Sequence, residues 1–192
     1  RLDESPAEYI HIDVMDGVFV PNITIGPSIV KTIRKFTKKV FDVHLMIINP
    51  EKYIKPCVEA GSDIIGVHRE VSCDHIELLN MIRSFGKKSC LVYNPETPAD
   101  DVEEYLPYLD QILIMSVHPG FGGQTFMPEV LPKGYFIRNL IDKKNYKVDL
   151  EIDGGVTFDN IKIINKHGFN IIVSGNTIFQ YKNLDEAINK LR

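Results

Sequence analysis

Seven short runs rich in Val, Ile and Leu, separated by polar stretches, set the framework of the chain. They cover Glu8 to Met15, Val40 to Ile47, Asp63 to His68, Ser89 to Tyr93, Gln111 to Val117, Val148 to Ile152 and Asn170 to Ser174. Each has the length and β-propensity of a strand. Most are nearly continuous in aliphatic residues, as strands covered on both faces are. Between them the spacing turns helical. Ser28 to Lys38 repeats Ile29, Ile33 and Phe36, Asn49-Pro50-Glu51 opens a helix that Gly61 closes, and Asp74 to Phe85 aligns Ile76, Leu79 and Ile82. Thr97-Pro98 opens a helix containing Val102 and Leu106, and Pro128 to Asn145 forms a longer one weakened by Gly134. Thr157 opens another that Gly168 caps, and Asn183 with Glu186 resembles a capping box for the last.

Alternating strands and helices, with no Asn-Gly hairpin turn between strands, imply parallel strands joined by crossover helices. The unit lengths suit a (β/α)8 TIM barrel, an α/β fold. An open doubly wound sheet would gather chemistry at one switch point, whereas here suspicious polar residues mark almost every strand end. Residues 1–192 read as a single domain without further repeats or low-complexity segments. Only seven strands are counted, and Leu2 to Glu8 reads as helix-like. The first strand and most of its helix are therefore expected upstream of Arg1, which is not an initiator methionine.

Composition narrows the partners. The 192 residues are 44% hydrophobic and 25% charged, with a formal net charge of -4, ordinary values for a soluble globular chain. Basic residues are scattered, which argues against a nucleic-acid surface; small anions remain open, because backbone amides bind them without basic side chains. The three cysteines, Cys57, Cys73 and Cys90, lack metal-motif spacing and fit reduced thiols in a cytoplasmic protein. No apolar stretch approaches the roughly 18 residues of a membrane span, and no signal peptide is visible.

The active site of a (β/α)8 barrel lies at the C-terminal ends of its strands. In Tyr9-Ile10-His11-Ile12-Asp13-Val14-Met15 the alternation projects His11, Asp13 and Met15 to one face. Phe41-Asp42-Val43-His44-Leu45-Met46 carries Asp42 and His44 on one face, and Leu150-Glu151-Ile152-Asp153 does the same with Glu151 and Asp153. Parity does not choose within these pairs; position at the strand end selects His44 and Asp153. Two imidazoles and two carboxylates, from His11, Asp13, His44 and Asp153, suit a divalent transition metal, with zinc or ferrous iron favoured over manganese or cobalt. His68 and Glu70 end another strand and are expected to support the site indirectly.

Three later strands run into glycine-bearing loops: Pro119-Gly120-Phe121-Gly122-Gly123-Gln124, Gly154-Gly155 and Gly175-Asn176. Such loops bring backbone N–H groups close to an anion, and phosphate sites in this fold are built from the last strand–helix loops. A phosphorylated substrate is the expectation. Met15, Met46 and Met115 also fall at strand ends, either as core filler or as an apolar, polarizable wall beside a reacting carbon.

His11-Ile12-Asp13-Val14-Met15-Asp16-Gly17 with Phe19-Val20-Pro21-Asn22, then Asp42-Val43-His44-Leu45-Met46, Met115-Ser116-Val117-His118-Pro119-Gly120-Phe121-Gly122-Gly123-Gln124 and Glu151-Ile152-Asp153-Gly154-Gly155-Val156, together resemble the ribulose-phosphate 3-epimerase family. The resemblance runs from about residue 8 to the end. It implies a metal-dependent barrel of the ribulose-phosphate-binding type, an isomerase of the pentose phosphate pathway interconverting D-ribulose 5-phosphate and D-xylulose 5-phosphate. It also implies one divalent ion per subunit, held by His11, Asp13, His44 and Asp153, with Asp13 and Asp153 as the acid/base pair at C3. The substrate would meet His44, Asp153, Gly120, Phe121, Gly122, Gly123, Gly154, Gly155, Gly175 and Asn176. Barrels of this kind commonly form dimers or larger homo-oligomers.

Two departures stand out. The family's substrate-contacting serine on the first strand is not in this chain, and the usual Gly-Ser of the last phosphate loop is Gly175-Asn176. The amide still donates to phosphate, so altered contact geometry with retained binding is expected. The alternatives are a D-allulose-6-phosphate 3-epimerase, which shares the metal and acid/base residues, and a non-catalytic phosphosugar-binding barrel. A decarboxylase of the related phosphate-binding barrels is disfavoured, because no Asp-x-Lys-x-x-Asp arrangement is present.

Overall fold

The computed structural model describes residues 1–192. The seven runs form seven strands: β1 (Tyr9–Met15), β2 (Val40–Met46), β3 (Ile64–His68), β4 (Lys88–Tyr93), β5 (Gln111–Met115), β6 (Asp149–Asp153) and β7 (Ile171–Val173). All pair in parallel, in sequence order from β1 to β7. The register sets His11 beside Asp42, Asp13 beside His44, and Met115 beside Asp153.

β1 and β7 are the two sheet edges and do not pair with each other. Tyr9 and Ile10 of β1 nevertheless border the same space as Ile171, Ile172 and Val173 of β7. The sheet therefore curls into a nearly closed barrel with one open seam. The helix-like reading of Leu2 to Glu8 is not borne out: the segment forms turns and bends. Ser5 bonds back to the Leu2 carbonyl through both its N–H (3.2 Å) and its hydroxyl (2.8 Å). Pro6 then offers no N–H to continue, and so short a segment does not nucleate a helix alone.

Strand alternation sorts side chains into two layers. Outward-facing Ile12, Val14, Val43, Leu45, Ile65, Val67, Leu91, Ile112, Ile114, Leu150 and Ile152 pack with helix residues such as Val30, Ile54, Leu79, Ile137 and Ile164 in the main core. Leu45 and Ile112 are completely buried, and truncating either to alanine would cost about 2–5 kcal/mol. Inward-facing Ile64, Cys90, Val92, Leu113 and Met115 fill part of the barrel interior. Since the outer layer carries stability, the remaining inward positions are free to hold polar groups.

The outer helices are α1 (Pro27–Ile33), α2 (Ile54–Ala60), α3 (His75–Ser84), α4 (Val102–Tyr105), α5 (Leu131–Lys144), α6 (Ile161–Lys166), α7 (Asn176–Phe179) and α8 (Leu184–Lys190). Asp74 caps α3 by accepting the Glu77 N–H, and Asn183 caps α8 by accepting those of Asp185 and Glu186. Glu186 does not complete a capping box; its carboxylate pairs with Lys190 at 2.8 Å. Four expected boundaries move. Asn49-Pro50 opens a 3-10 turn (Pro50–Lys52) ahead of α2. Thr97-Pro98 opens no helix; α4 starts at Val102, just after Asp101, whose carboxylate is held by Arg69 and Tyr93. Thr157 does not open α6, because Asn160 accepts the Thr157 N–H (2.8 Å) and donates to the Gly155 carbonyl (3.0 Å), placing the cap at Asn160. That helix ends with His167 as its cap, one residue before Gly168.

Candidate active site

The four strand-end residues selected from the sequence converge at the barrel mouth. One ligand atom from each of His11, Asp13, His44 and Asp153 lies within 4.8 Å of the others. Asp13 Oδ1 stands 3.1 Å from His44 Nδ1 and 3.4 Å from His11 Nε2. His11 Nε2 is buried and has no hydrogen-bond partner. Burying an imidazole nitrogen without a partner costs stability. A divalent cation would satisfy that atom, and an imidazole–carboxylate set fits zinc, ferrous iron or manganese. The residues present fit the ion the sequence calls for.

Parity left Asp42 and Glu151 unassigned, and both prove to face inward, two residues deeper on their strands than His44 and Asp153 and beside His11, which pairs with Asp42 in register and lies 3.6 Å from Glu151 Oε1. Asp42 Oδ2 accepts from His11 Nδ1 at 2.8 Å. Gln111 Nε2 bridges the two acids, donating to Glu151 Oε2 at 2.6 Å and more weakly to Asp42 Oδ2 at 3.4 Å. The carboxylate on Nδ1 fixes His11 with its lone pair on Nε2, toward Asp13. His44 is braced from the other side: its Nε2 lies 2.8 Å from His68 Nε2, and His68 Nδ1 lies 2.9 Å from Glu70 Oε2. Two residues apart on strands that end in ligands, Asp42 and Glu151 carried the signal in the sequence, but only the closed barrel shows which layer each occupies.

The carboxylates are electrostatically unequal. Burial works to raise Asp13, but the His11 and His44 rings set against its carboxylate hold it well below the usual range. Burial raises Asp153, and the Asp13 charge adds to it while His11 opposes. In the deeper pair, burial and the charge of Asp42 push Glu151 well up, whereas Asp42 is held down against its own burial by His11. Burial disfavours charge on His11 itself, but Asp42, Asp13 and Glu151 together lift it well above the ordinary imidazole value. Burial drives His68 down to about 4, and hydrogen bonds from His68 and neighbouring groups overcome burial to hold Glu70 at about 2. The two carboxyls of the Asp13–Asp153 pair are thus shifted in opposite directions.

Beside these residues opens a cavity of about 1340 Å³ that also continues into the seam between β1 and β7. Its walls include His11, Asp13, Asp153, Met15, Met46, Met115 and all three glycine loops. His44 does not border it; with 1% of its surface exposed, it reaches the mouth only through Nδ1. The loops approach one another closely. Asn176 Nδ2 fills the space beside Gly123 (φ +79°), and Gly155 (φ +61°) packs against the backbone of Phe126 and Gln124. Asn22 Nδ2 donates to the Gly120 carbonyl at 2.7 Å, and Gln124 Nε2 donates to the His118 and Phe121 carbonyls at 2.6 and 2.8 Å. These braces were not read from the sequence, although Asn22 and Gln124 lie inside the quoted motifs. Ser174 Oγ, buried without a partner, is a further wall group the sequence reading passed over. Arg192 is the one Lys or Arg side chain on the wall, and it is tied to Glu8 and to the Pro6 carbonyl. An anion at the loops would therefore be held by amides and polar side chains.

The model of the ribulose-phosphate 3 epimerase family matches residues 1–179. The chain is 51% identical over 193 residues to a ribulose-phosphate 3-epimerase of Synechocystis, covering 100% of this chain and 84% of that protein. It is 42% identical to the Bacillus subtilis protein of that name (100% and 88% covered) and 39% identical to the Escherichia coli one (97% and 83% covered). Among solved structures, a 3-hexulose-6-phosphate synthase superposes with a TM-score of 0.64 at 17% identity, covering 94% of this chain and 97% of that one. KGPDC from Streptococcus mutans superposes with a TM-score of 0.66 at 13% identity, covering 96% and 94%. At such identities these structures show the barrel fold alone.

Proposed function

The chain belongs to the ribulose-phosphate 3-epimerase family, and we propose that it interconverts D-ribulose 5-phosphate and D-xylulose 5-phosphate with Asp13 and Asp153 as its two proton carriers. Inverting a carbon beside a ketone requires one group to remove its proton and another to return one from the opposite face. The observation that carries the assignment is the Asp13–Asp153 pair, brought to one point from β1 and β6, with carboxyls shifted in opposite directions. Asp13 Oδ1 faces His11 and His44, while Oδ2 makes no hydrogen bond in the protein and is open to substrate.

In one direction, Asp13 Oδ2 takes the C3 proton, the C3–H electron pair becomes the C2–C3 double bond, and the C2=O π pair moves onto the C2 oxygen to give a 2,3-enediolate. Protonated Asp153 then delivers its proton to the other face of C3, the C2–C3 π pair forming the new C3–H bond as the C2 oxygen re-forms the ketone. The step leaves Asp13 protonated and Asp153 ionised, the starting condition for the reverse direction, so the pair titrates as a unit. His11, His44, Asp13 and Asp153 would hold a divalent ion, which would supply positive charge against the enediolate. The donor set supports zinc or ferrous iron, one per subunit. Gly120–Gly123, Gly154-Gly155 and Gly175-Asn176 hold the phosphate, and Met15, Met46 and Met115 exclude water beside C3.

The unpaired thiols of Cys57, Cys73 and Cys90 support a reducing, cytoplasmic setting. Exposed Val18, Ile23, Ile48 and Phe121, on loops that follow strand ends, support a homo-oligomer that covers them. The test is turnover of D-ribulose 5-phosphate before chelation, after it, and after return of zinc or ferrous iron. Loss and restoration are expected. Full activity of rigorously metal-free enzyme would overturn the metal's role, and a strong preference for D-allulose 6-phosphate would overturn the substrate.

A further inference from the structure

A hydroxyl stands behind each of the two proposed proton carriers. Thr24 Oγ1 donates to the Asp13 carbonyl at 2.6 Å and accepts the Met15 N–H at 3.0 Å. Ser116 Oγ donates to the carbonyls of Gly154 and Asp153, at 2.7 and 3.0 Å, and the Ser116 N–H reaches the same Asp153 oxygen at 2.8 Å. Both carriers sit where a strand holds its backbone least. Asp13 lies on β1, an edge of the sheet, and Asp153 is the last residue of β6. Asp13 Oδ2 and both Asp153 carboxylate oxygens make no hydrogen bond in the protein. The main chain therefore decides where these oxygens stand.

We propose that Thr24 and Ser116 are positioning residues, one main-chain clamp for each carrier, and that together they set how the two proton transfers at C3 share the barrier. The inference rests on the two-carrier reading given above. The Thr24 hydroxyl bridges both sides of Val14, giving the edge strand partners that no neighbouring strand supplies there. Its own segment is tied down by the Thr24 N–H on the Met15 carbonyl at 3.4 Å and by the bridge between Asp16 and Ile23. Ser116 is completely buried. A Cβ on Gly154 (φ +121°) would lie 2.5 Å from Val117 Cγ2, so the ends of β5 and β6 are in contact and the hydroxyl between them has little room to shift. Neither Thr24 nor Ser116 borders the cavity, so each acts through its carrier and not on the substrate. Proton transfer at carbon needs reacting atoms about 3–3.5 Å apart, and a displacement of about 1 Å can cost 10²-fold. Loosening one clamp raises the barrier of one carrier's step. The two steps share one enediolate, so C3–H cleavage then limits the rate more from one epimer and less from the other.

Thr24→Val and Ser116→Ala each remove a hydroxyl with little change in shape. Assayed at saturating zinc with the metal content confirmed, each is expected to lower kcat about 10- to 100-fold with KM within about twofold. Thr24→Ser, which keeps the hydroxyl, should recover most of the loss. The deciding readout is the primary isotope effect on kcat/KM, measured with deuterium at C3 of D-ribulose 5-phosphate and, separately, of D-xylulose 5-phosphate. In Thr24→Val it is expected to rise for the epimer that Asp13 deprotonates and to fall for the other; Ser116→Ala should give the mirror image. A merely structural role would lower turnover and leave the ratio of the two isotope effects at its wild-type value. That result overturns the proposal, as do two variants that shift the ratio the same way or keep wild-type kcat. If Ser116→Ala does not fold, Thr24→Val, on an exposed loop, decides by its ratio against wild type. Epimerisation retained by Asp13→Asn or Asp153→Asn would remove the two-carrier reading itself. Two inactive Asn variants beside unaltered Thr24→Val and Ser116→Ala would remove only the clamps, so the two failures are distinguishable.

Discussion

The side-chain nitrogen of Asn176 stands 2.7 Å from the point a Cβ on Gly123 would occupy. Two of the glycine loops therefore meet edge to edge, and the asparagine that replaces the family's usual serine fills the space between them. Any side chain at 123 must displace that amide, and at φ +79° it also strains the backbone. Gly123→Ala is expected to raise KM for the ketose phosphate about tenfold, a loss of ~1.4 kcal/mol of binding, with kcat within about twofold. Steady-state kinetics check this. An equal fall in kcat would place Gly123 in the chemistry instead of in phosphate binding.

Asp13 and Asp153 predict a sharper outcome. Asp13→Asn and Asp153→Asn, measured at saturating metal, should each lower kcat by about 10²- to 10⁴-fold or more while leaving the circular dichroism spectrum unchanged. With one carrier left, each variant should still exchange the C3 proton of one epimer with solvent deuterium and leave the other epimer untouched. Substantial epimerisation by either variant would show the two-carrier assignment to be wrong.

Gly134 sits inside α5, where helix propensity alone favours alanine by about 1 kcal/mol. A Cβ there would lie 2.2 Å from Phe169 Cζ, deep in a packed contact. The steric term wins: Gly134→Ala is expected to destabilise the fold by about 1–3 kcal/mol, and adding Phe169→Leu should recover part of the loss. Urea midpoints at constant slope measure both. A Gly134→Ala protein as stable as wild type would mean the helix shifts freely.

The same residue shows where sequence reading stops. Propensity marks Gly134 as a weakness, and only its neighbour across the interface explains it. The strands were legible because a buried sheet demands aliphatic residues at alternate positions, and the exceptions, His11, Asp13, His44 and Asp153, stood out against that demand. Asp42 and Glu151 carry the same parity as the ligands, yet their depth depends on barrel register, which no local pattern encodes. The Thr97-Pro98 and Thr157 starts failed for a related reason, since side chains further along, Asp101 held by Arg69 and Asn160 held by Gly155, took over the cap positions. The four-residue α7 was too short to show any periodicity.

Asp16 follows β1 in the motif that carries His11 and Asp13, and its carboxylate anchors the loop over the site. Its Oδ1 accepts the N–H groups of Val18 and Phe19, each at 2.8 Å, and Oδ2 accepts that of Ile48 at 2.9 Å. Phe19 in turn packs on His68, so the carboxylate ties the loop after β1 to the loop after β2 and to the ring beneath. Burial opposes ionisation, but the three N–H groups together outweigh it and hold the Asp16 carboxyl below its ordinary 3.8. A carboxyl depressed in the folded state stabilises fully above its unfolded value and loses that contribution as pH falls through the folded one. Asp16→Asn turns an NH2 toward one of the three donors, and for a part-exposed group the cost should be about 1 kcal/mol. In metal-free protein the gap between wild-type and Asp16→Asn urea midpoints should be full at pH 6 and narrow below about pH 3.8, because only wild type has a charge to lose. A gap that stays constant to pH 3 would mean the loop is held by its apolar contacts, with Phe19 and Val20 against Met15 and Met46, and not by the carboxylate.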